Sequence, residues 1–346
     1  MLEPKEQEII DFVISNPLSS SKDIFNGLAS SLSYATAKRI LSKLVAEKLL
    51  STEGNGKGTK YVVSRFYKLF QPINIDEYYQ KDIDDRDVFD SFNFELIQET
   101  LAAVDLFTLS ESERLNDLQK KYAYNISQLS NLEYKKELER LAIDLSWKSS
   151  QIEGNTYTLL ETERLIKERE TASGRTKDEA SMLLNHKEAI DFIVANPDYL
   201  EPLSIAKIED IHRILTKELN IDGNIRKRRV GISGTNYKPL DNEFQILEAL
   251  NLSCELINNK NNVFEKALLT LLLISYIQPF ADGNKRTARI VSNAILMNNN
   301  YCPLSFRTVD SIDYKKAMLL FYEQNNITKF KEIFIDQFEF AVGTYF

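Results

Sequence analysis

Residues 278–289, with the sequence QPFADGNKRTAR, have the side chains and the spacing that an anion-binding site needs. Apolar runs precede and follow them, so we predict that one helix ends here and another begins at Lys285. The N–H groups at a helix start have no partner within the helix and carry partial positive charge. Arg286 and Arg289 lie on one face of that first turn and a half. The pattern predicts a cradle for a polyphosphate.

Asp282 adds a carboxylate to this positive site, where it would by itself weaken the binding of an anion. It is useful there if it holds a divalent metal, because Mg²⁺ is usually bound by one or two carboxylates and by the phosphates of a substrate. Gly283 next to it would let a ligand approach the main chain closely. The residues favour a magnesium–nucleotide site, and a capped helix start with surface arginines is the alternative.

The same stretch resembles the signature of the Fic family, His-x-Phe-x-(Asp/Glu)-Gly-Asn-(Gly/Lys)-Arg-x-x-Arg. The residues that match it in place are Phe280, Asp282, Gly283, Asn284, Lys285, Arg286 and Arg289. Most members of the family transfer AMP from ATP to a hydroxyl of a target protein. The resemblance implies that Asp282 holds Mg²⁺. It also implies that the nucleotide is bound by Gly283, Asn284, Lys285, Arg286 and Arg289.

Gln278 is a departure from that signature, because it stands where the family has the histidine that acts as general base. A glutamine amide has no usable pKa near neutrality. The loss of a positioned base typically slows a reaction by about 10²–10⁴. We therefore expect ATP binding to be retained and AMP transfer to be impaired.

A second motif, Ser149-Ser-Gln-Ile-Glu153-Gly154, follows a stretch with helical periodicity. Gly154 is suited to end that helix. An exposed glutamate at a helix C-terminus is one interpretation. The motif also resembles the inhibitory-helix motif of the Fic family, with Ser149, Glu153 and Gly154 in place. That resemblance implies that Glu153 pairs with Arg289 and takes the place of the γ-phosphate of ATP.

Residues 223–239 contain glycines that alternate with apolar residues, followed by a turn signal at 234–236. We predict a short β-hairpin flap with an open edge, which could hold an extended target peptide by strand addition. The residues expected to position the target are Gly231, Ile232, Ser233 and Gly234. The basic run 226–229 within this stretch has a solvated loop as an equal alternative.

Residues 1–66 resemble a winged helix-turn-helix module, in which the third helix enters the major groove of duplex DNA and the wing touches the backbone. Between residues 33 and 66 there are seven basic residues and two acidic ones, on a chain of net charge −8. That local reversal of charge favours DNA binding. Protein contacts are the alternative. The candidate DNA-binding residues are Ser33, Thr36, Lys38, Arg39 and Lys43 in the helix and Lys57 and Lys60 in the wing.

The 346 residues include only 11 glycines and 8 prolines, and long stretches of 3.6-residue period dominate, so we predict a mainly α fold. We divide the chain into the winged-helix-like module at 1–66, a helical connecting subdomain at 67–140, the Fic-like core at 141–322 and a C-terminal helix at 323–346. That last helix is expected to pack on the core, with the face of a homodimer as the alternative. The start of the chain lacks the pattern of a signal peptide and no apolar run could span a bilayer, so we expect a cytoplasmic protein.

Two functions are compatible with these residues. The first is an adenylyltransferase that uses ATP and Mg²⁺, is inhibited by Glu153 and is impaired at Gln278. The second is a regulator without catalysis, in which ATP binding to the core controls a DNA-binding module.

Overall fold

The computed structural model describes residues 2–30, 32–89 and 91–346, and of Lys57 only the main chain. Within these residues the fold is mainly α, which confirms the predicted class. The described strands belong to one small sheet near the N-terminus.

The N-terminal module, residues 2–66, packs three helices against this sheet. The helices are α1 (Pro4–Ser15), α2 (Ser21–Gly27) and α3 (Tyr34–Ala46), and the strands are β1 (Ser19–Ser20), β2 (Leu50–Glu53) and β3 (Lys60–Val63). All pairs are antiparallel in the order β1-β3-β2, with Leu50 opposite Val63. The hydroxyls of Ser20 and Ser33 cap α2 and α3 by accepting hydrogen bonds from main-chain N–H groups. The winged-helix interpretation of this module stays a prediction.

Short helices connect the module to the core. They are α4 (Tyr67–Phe70), α5 (Ile75–Gln80) and a π-helical turn (Leu96–Thr100), followed by the longer α6 (Leu109–Ser127). The next helix, α7 (Asn131–Ile152), runs without a break through residue 140. The boundary that we placed at residue 140 therefore falls inside a single helix, because the apolar periodicity of α7 continues across it.

The core contains eight further α-helices. They are α8 (Leu159–Glu168), α9 (Lys177–Ala195), α10 (Ile205–Thr216), α11 (Glu243–Asn259), α12 (Val263–Ile277), α13 (Asn284–Asn298), α14 (Ser311–Gln324) and α15 (Thr328–Thr344). Of these, α12 and α13 are the most completely buried. Helix α12 is apolar on all sides and almost completely buried, as expected for a central helix. It packs mainly against α13, so the loop between them is flanked by the most extensively packed pair of helices among the described residues.

The predicted β-hairpin at residues 223–239 is wrong. Residues 221–240 contain no strand, only an extended path with a turn at Ser233-Gly234. A strand needs a partner to satisfy its main-chain groups, and this segment has no neighbouring strand with which to form a ladder. Gly234 has a φ of +87°, a conformation that glycine adopts readily.

Aromatic residues attach the C-terminal helix to the core. Phe330, Phe334 and Phe338 on α15 are fully buried, and Phe338 meets Phe264 of α12 edge to face with ring centres 4.9 Å apart. Burial of these rings accounts for the helical spacing of the aromatic residues, and packing on the core is the arrangement observed.

Candidate functional site

The site lies where α12 ends and α13 begins. Gln278 closes α12 in the left-handed conformation, with φ +52°, and donates its N–H to Ile274 O at 3.1 Å. Gly283 is also left-handed, at φ +81°, directly before the first residue of α13. A side chain at 283 would be strained by this φ, and its Cβ would come within 3.3 Å of His212. Two left-handed residues thus turn the chain sharply and aim the start of α13 at the cavity described below.

The loop is closed by the side chain of Asn284. Its Oδ1 accepts the N–H of Phe280 at 2.8 Å, and its Nδ2 donates to Phe280 O and to Gln278 Oε1, both at 2.9 Å. Both N–H donors of its amide and one of the two acceptor sites of its oxygen are thereby used within the loop. We expected Asn284 to contact phosphate. In this structure its side chain instead fixes the shape of the loop through hydrogen bonds to Phe280 and Gln278.

His212 on α10 supports the same loop, which we did not predict. Its ring lies parallel to that of Phe280, with centres 3.7 Å apart, and its Nε2 is 2.8 Å from Asp282 O. The side chain is fully buried. Burial lowers the pKa of His212, so the neutral imidazole donates from Nε2 to the carbonyl. The sequence gives no local signal for this role, since the contact joins residues that are 70 positions apart.

Arg286 is buried at the start of α13 with unused donors. Its side chain is 1% exposed, and its Nη2 is 3.4 Å from Asp282 Oδ2. Its Nε and Nη1 have no hydrogen-bond partner within the described residues. A buried guanidinium without partners is unfavourable, and burial lowers the pKa of Arg286. An anion next to it would satisfy both the charge and the donors.

Arg289, one turn further along α13, is fully buried and is bound by the end of α7. Its Nε donates to Ser149 Oγ at 2.8 Å, and its Nη2 donates to Ser149 O at 3.0 Å and to Glu153 Oε1 at 2.8 Å. Its Nη1 has no partner within the described residues. The guanidinium also lies over the ring of Tyr314, 5.2 Å from its centre.

Glu153 bridges two cations. Its Oε2 accepts from Lys285 Nζ at 3.2 Å, while its Oε1 accepts from Arg289. Although burial by itself raises the pKa of Glu153, the charges of Arg289 and Lys285 outweigh it and lower that pKa to about 2. The carboxylate is therefore ionised throughout the neutral range.

The end of α7 places Glu153 opposite these cations. Gly154 follows it with φ +101° and donates its N–H to Gln151 O, while Asn155 donates to Ser150 O, both at 3.0 Å. This pair of bonds is a Schellman motif with glycine at its left-handed position. Gly154 ends the helix as predicted from its type, and the chain turns away immediately after the glutamate.

Asp282 is the carboxylate that could hold a metal. Its side chain is 67% exposed, and its Oδ1 accepts the N–H of Gly283 at 2.6 Å. The described residues contain no cluster of three or more His, Cys, Asp or Glu side chains suited to a metal. Mg²⁺ fits such a site, since it often takes a single carboxylate and completes its shell with phosphate oxygens and water.

Gln278 is held in place by its neighbours. Its Nε2 donates to Ser275 O at 2.7 Å and lies 3.5 Å from Tyr322 Oη, while its Oε1 accepts from Asn284. The amide therefore stabilises the loop, and it has no group that can take up a proton near neutral pH.

A cavity of 340 Å³ opens in front of the loop, a size typical of small-molecule sites. Glu153, Asp282, Asn284 and Lys285 line it on one side. Its lining also includes Val230, Gly231, Ile232 and Ser233, together with Lys315, Met318, Leu319 and Tyr322 of α14. Arg286 and Arg289 are not part of the wall, because Glu153 covers Arg289 and both guanidinium groups are buried beneath the surface.

The segment at the cavity is attached to the core by Arg226, which we had left open as a solvated residue. It is buried, with four hydrogen bonds to main-chain carbonyls: Gln278 at 2.6 Å, Leu240 at 2.5 Å, Arg228 at 2.8 Å and Ile277 at 3.4 Å. Arg226 is therefore structural, whereas Arg228 and Arg229 in the same run are exposed.

Comparison with known proteins identifies this region. A model of the Fic/DOC family matches residues 202–296, which include α10, the extended segment, α12 and the loop into α13. The chain carries a Fic domain.

Proteins named "Protein adenylyltransferase Fic" are similar to it in sequence. That of Drosophila mojavensis is 27% identical over 217 residues, which are 61% of this chain and 43% of the relative. That of Nematostella vectensis is 30% identical over 173 residues, which are 48% of this chain and 40% of the relative. The matched part of the chain thus spans less than half the length of these relatives.

Solved structures of Fic proteins have the same fold. Fic-1 (aa134 - 508) of C. elegans superposes with a TM-score of 0.59 at 19% identity, over 68% of this chain and 71% of that protein. A Fic domain containing signalling protein of Bacteroides thetaiotaomicron gives 0.56 at 19% identity, over 67% of this chain and 95% of that one.

Outside the Fic domain, the DNA-binding candidates differ in their surroundings. Lys38 and Arg39 are exposed on α3. Lys43 pairs with Glu6 at 2.6 Å, and Lys60 lies 3.7 Å from Asp23. Ser33 and Thr36 form the cap of α3, with their hydroxyl oxygens 2.8 Å apart. The side chain of Lys57 lies outside the described part of the chain.

No helix among the described residues is both long and apolar enough to cross a lipid bilayer. The longest, α7, carries charged residues along much of its length.

Proposed function

We propose that this protein binds Mg-ATP at the start of α13 and transfers AMP to a hydroxyl of a target protein, under inhibition by Glu153 and at a rate limited by Gln278. The observation that carries the proposal is the pair of buried guanidinium groups, Arg286 and Arg289, whose remaining donors have no partner in the described residues. The sequence similarity to proteins named adenylyltransferases supports the same activity.

In the proposed reaction, the hydroxyl oxygen of the target attacks the α-phosphorus of ATP and the bond to pyrophosphate breaks. Arg286 and the N–H groups at the start of α13 stabilise the negative charge of the phosphates. Arg289 can bind the terminal phosphate only when Glu153 releases it, because the carboxylate occupies that guanidinium at 2.8 Å. Asp282 would hold Mg²⁺, which neutralises charge on the phosphate oxygens when it is bound.

The proton of the attacking hydroxyl must leave, and Gln278 cannot accept it. Lys285 beside it is paired with Glu153. We therefore expect AMP transfer to be slower by about 10²–10⁴ than with a histidine at this position. Residues 231–233, which line the cavity together with the loop, would hold the target through main-chain groups that have no hydrogen-bond partner among the described residues. The carbonyl of Gly234 is already bound by Arg86.

The test is transfer of radiolabelled AMP from ATP to protein, measured for this chain and for Gln278→His, each with and without Glu153→Gly. We expect little labelling by the chain itself, more with Glu153→Gly, and most with both substitutions. ADP affinity, measured by calorimetry, should be the same with Gln278 as with His. Absence of ADP binding even after Glu153→Gly would refute the proposal.

A regulator without turnover is the second candidate. The observation that favours it is the bonding of Gln278, whose amide is used to fix the loop. In that case ATP binding would control the basic N-terminal module, and Gln278→His would not produce labelling under any condition.

A further inference from the structure

Residues 83–87, which connect α5 to the core and lie outside the Fic domain, contact the segment that faces the nucleotide cavity. Arg86 Nη1 donates to Gly234 O at 2.9 Å. Asn236 Nδ2 donates to Asp84 Oδ1 at 2.8 Å and to Ile83 O at 3.3 Å. Three hydrogen bonds thus join these residues to Gly234 in the turn and to Asn236 just after it, across about 150 positions of sequence.

Arg86 is itself fixed by the core. Its side chain is 11% exposed and its Nη1 lies 3.4 Å from Oε1 of the fully buried Glu323 on α14. The guanidinium also lies over the ring of Tyr79, 4.7 Å from its centre, and Tyr79 Oη donates to Lys316 O at 2.8 Å. An arginine bound by a buried carboxylate and an aromatic ring has few other positions available, so the carbonyl that it holds is also fixed.

Residues 230–236, which Arg86 contacts through Gly234, make few other hydrogen bonds to the rest of the chain. Residues 230–236 are in no helix or strand, and Gly231, Ser233, Gly234 and Asn236 are exposed. Arg226 and the buried Tyr237, which donates to Tyr276 O at 3.2 Å, attach its two ends. Between these ends, the residues around the turn are connected to another part of the chain by their hydrogen bonds to Ile83, Asp84 and Arg86.

We propose that Arg86 and Asp84 are positioning residues for target binding: they set the distance between residues 231–233 and the start of α13. This inference rests on the proposed function, because it gives the main chain of residues 231–233 the role of holding the target. It assigns specificity to a connecting segment that the Fic domain itself does not include. Neither residue lines the cavity, so we expect their substitution to leave nucleotide affinity nearly unchanged.

The first measurement is hydrogen–deuterium exchange of the full chain at residues 230–236. We expect Arg86→Ala and Asp84→Ala each to raise the exchange rate there by about tenfold, since each removes a hydrogen bond that restrains the turn. Lys81→Ala and Asp85→Ala are the matched controls, because both side chains are exposed in the same connecting segment. If the Arg86 variant fails to fold because Glu323 loses its partner, Asp84→Ala leaves that pair intact. Unchanged exchange in Asp84→Ala would overturn the proposal.

The second measurement uses the Gln278→His, Glu153→Gly background and labelled AMP transfer to the proteins of a cell extract. We expect Asp84→Ala to lower labelling when the extract is dilute, and labelling to return to the parent's level as the extract is concentrated. The ADP affinity of the variant should stay within about twofold of the parent's. A uniform loss at every concentration would contradict a positioning role. If the parent itself gives no labelling, the proposed function fails, while the exchange experiment still decides whether residues 83–86 hold the turn.

Discussion

Glu153 is bound by Arg289 at 2.8 Å and by Lys285 at 3.2 Å, two cations that a triphosphate would also use. The side chain is only 19% exposed, so the pair is largely shielded from solvent and directional. Under the proposed function, a nucleotide would have to displace this carboxylate, so that the proposed inhibition would be a competition for the same guanidinium group.

We expect Glu153→Gly to raise ATP affinity by at least about tenfold, which corresponds to about 1.4 kcal/mol, because the donors of Arg289 and Lys285 become free for the γ-phosphate. Isothermal titration calorimetry of the full chain measures this. Glu168→Ala, which removes an exposed glutamate from α8, is the control and should leave the affinity unchanged. Equal affinities for all three proteins would show that Glu153 does not compete with the nucleotide.

The low pKa of Glu153, about 2, predicts how the inhibition depends on pH. A carboxylate whose pKa is lowered in the folded state stabilises the protein above its ordinary pKa and loses that contribution only as the pH falls toward the lowered value. The ratio of ATP affinities between Glu153→Gly and the parent should therefore stay constant from about pH 5 to pH 8. A ratio that falls toward one at the acid end would mean that the carboxylate is protonated there.

At the scale of elements, side-chain hydrogen bonds hold the extended segment between α10 and α11 in place. Arg226 satisfies four carbonyls at the point where the segment passes α12, including that of Gln278 in the loop itself. It thereby couples the segment to the loop and offsets the absence of a β-ladder.

Arg226→Ala should lower the free energy of unfolding by about 3–5 kcal/mol, since it leaves buried carbonyls without donors. Arg228→Ala, two residues away and exposed, should change it by less than about 0.5 kcal/mol. Urea denaturation followed by circular dichroism measures both. Similar changes in the free energy of unfolding for the two variants would mean that Arg226 does not stabilise the fold.

The elements show which parts of the fold could be predicted. The end of α12 and the start of α13 follow from local signals: an apolar run, a left-handed glycine and a loop with polar side chains. Local signals could not decide whether residues 223–239 form a hairpin, because their glycines and alternating apolar residues fit an extended segment with or without a partner strand. The roles of His212 and Arg226 depend on contacts with distant residues and have no signature in the sequence.

At the scale of the whole molecule, a charged pair joins the N-terminal module to the connecting segment. Lys48 lies 3.8 Å from Asp105, and a cavity of 530 Å³ separates α3 from the start of α15. Lys43 faces this cavity and pairs with Glu6, whereas Lys38 and Arg39 point away to solvent. The exposed pair is thus better suited than Lys43 to contact a polyanion.

If the module binds DNA, affinity for a duplex should fall steeply with salt, and the joint variant Lys38→Ala, Arg39→Ala should reduce the slope of log K against log salt by about 2. Lys43→Ala should change it less, because its charge is already paired. Fluorescence anisotropy with a labelled duplex of random sequence measures the slopes. A slope near zero for the parent chain would exclude DNA binding.

The sequence by itself determined the local chemistry of this protein: the residue types of the loop, the glycine that allows its turn, and the helices on either side. These depend on neighbours in the chain, so periodicity and backbone preference are enough to predict them. Only the tertiary structure decided that His212 stacks on Phe280, that Arg226 holds the loop, and that Arg86 reaches Gly234. Each of these contacts joins residues far apart in the chain, and only the tertiary fold brings them together.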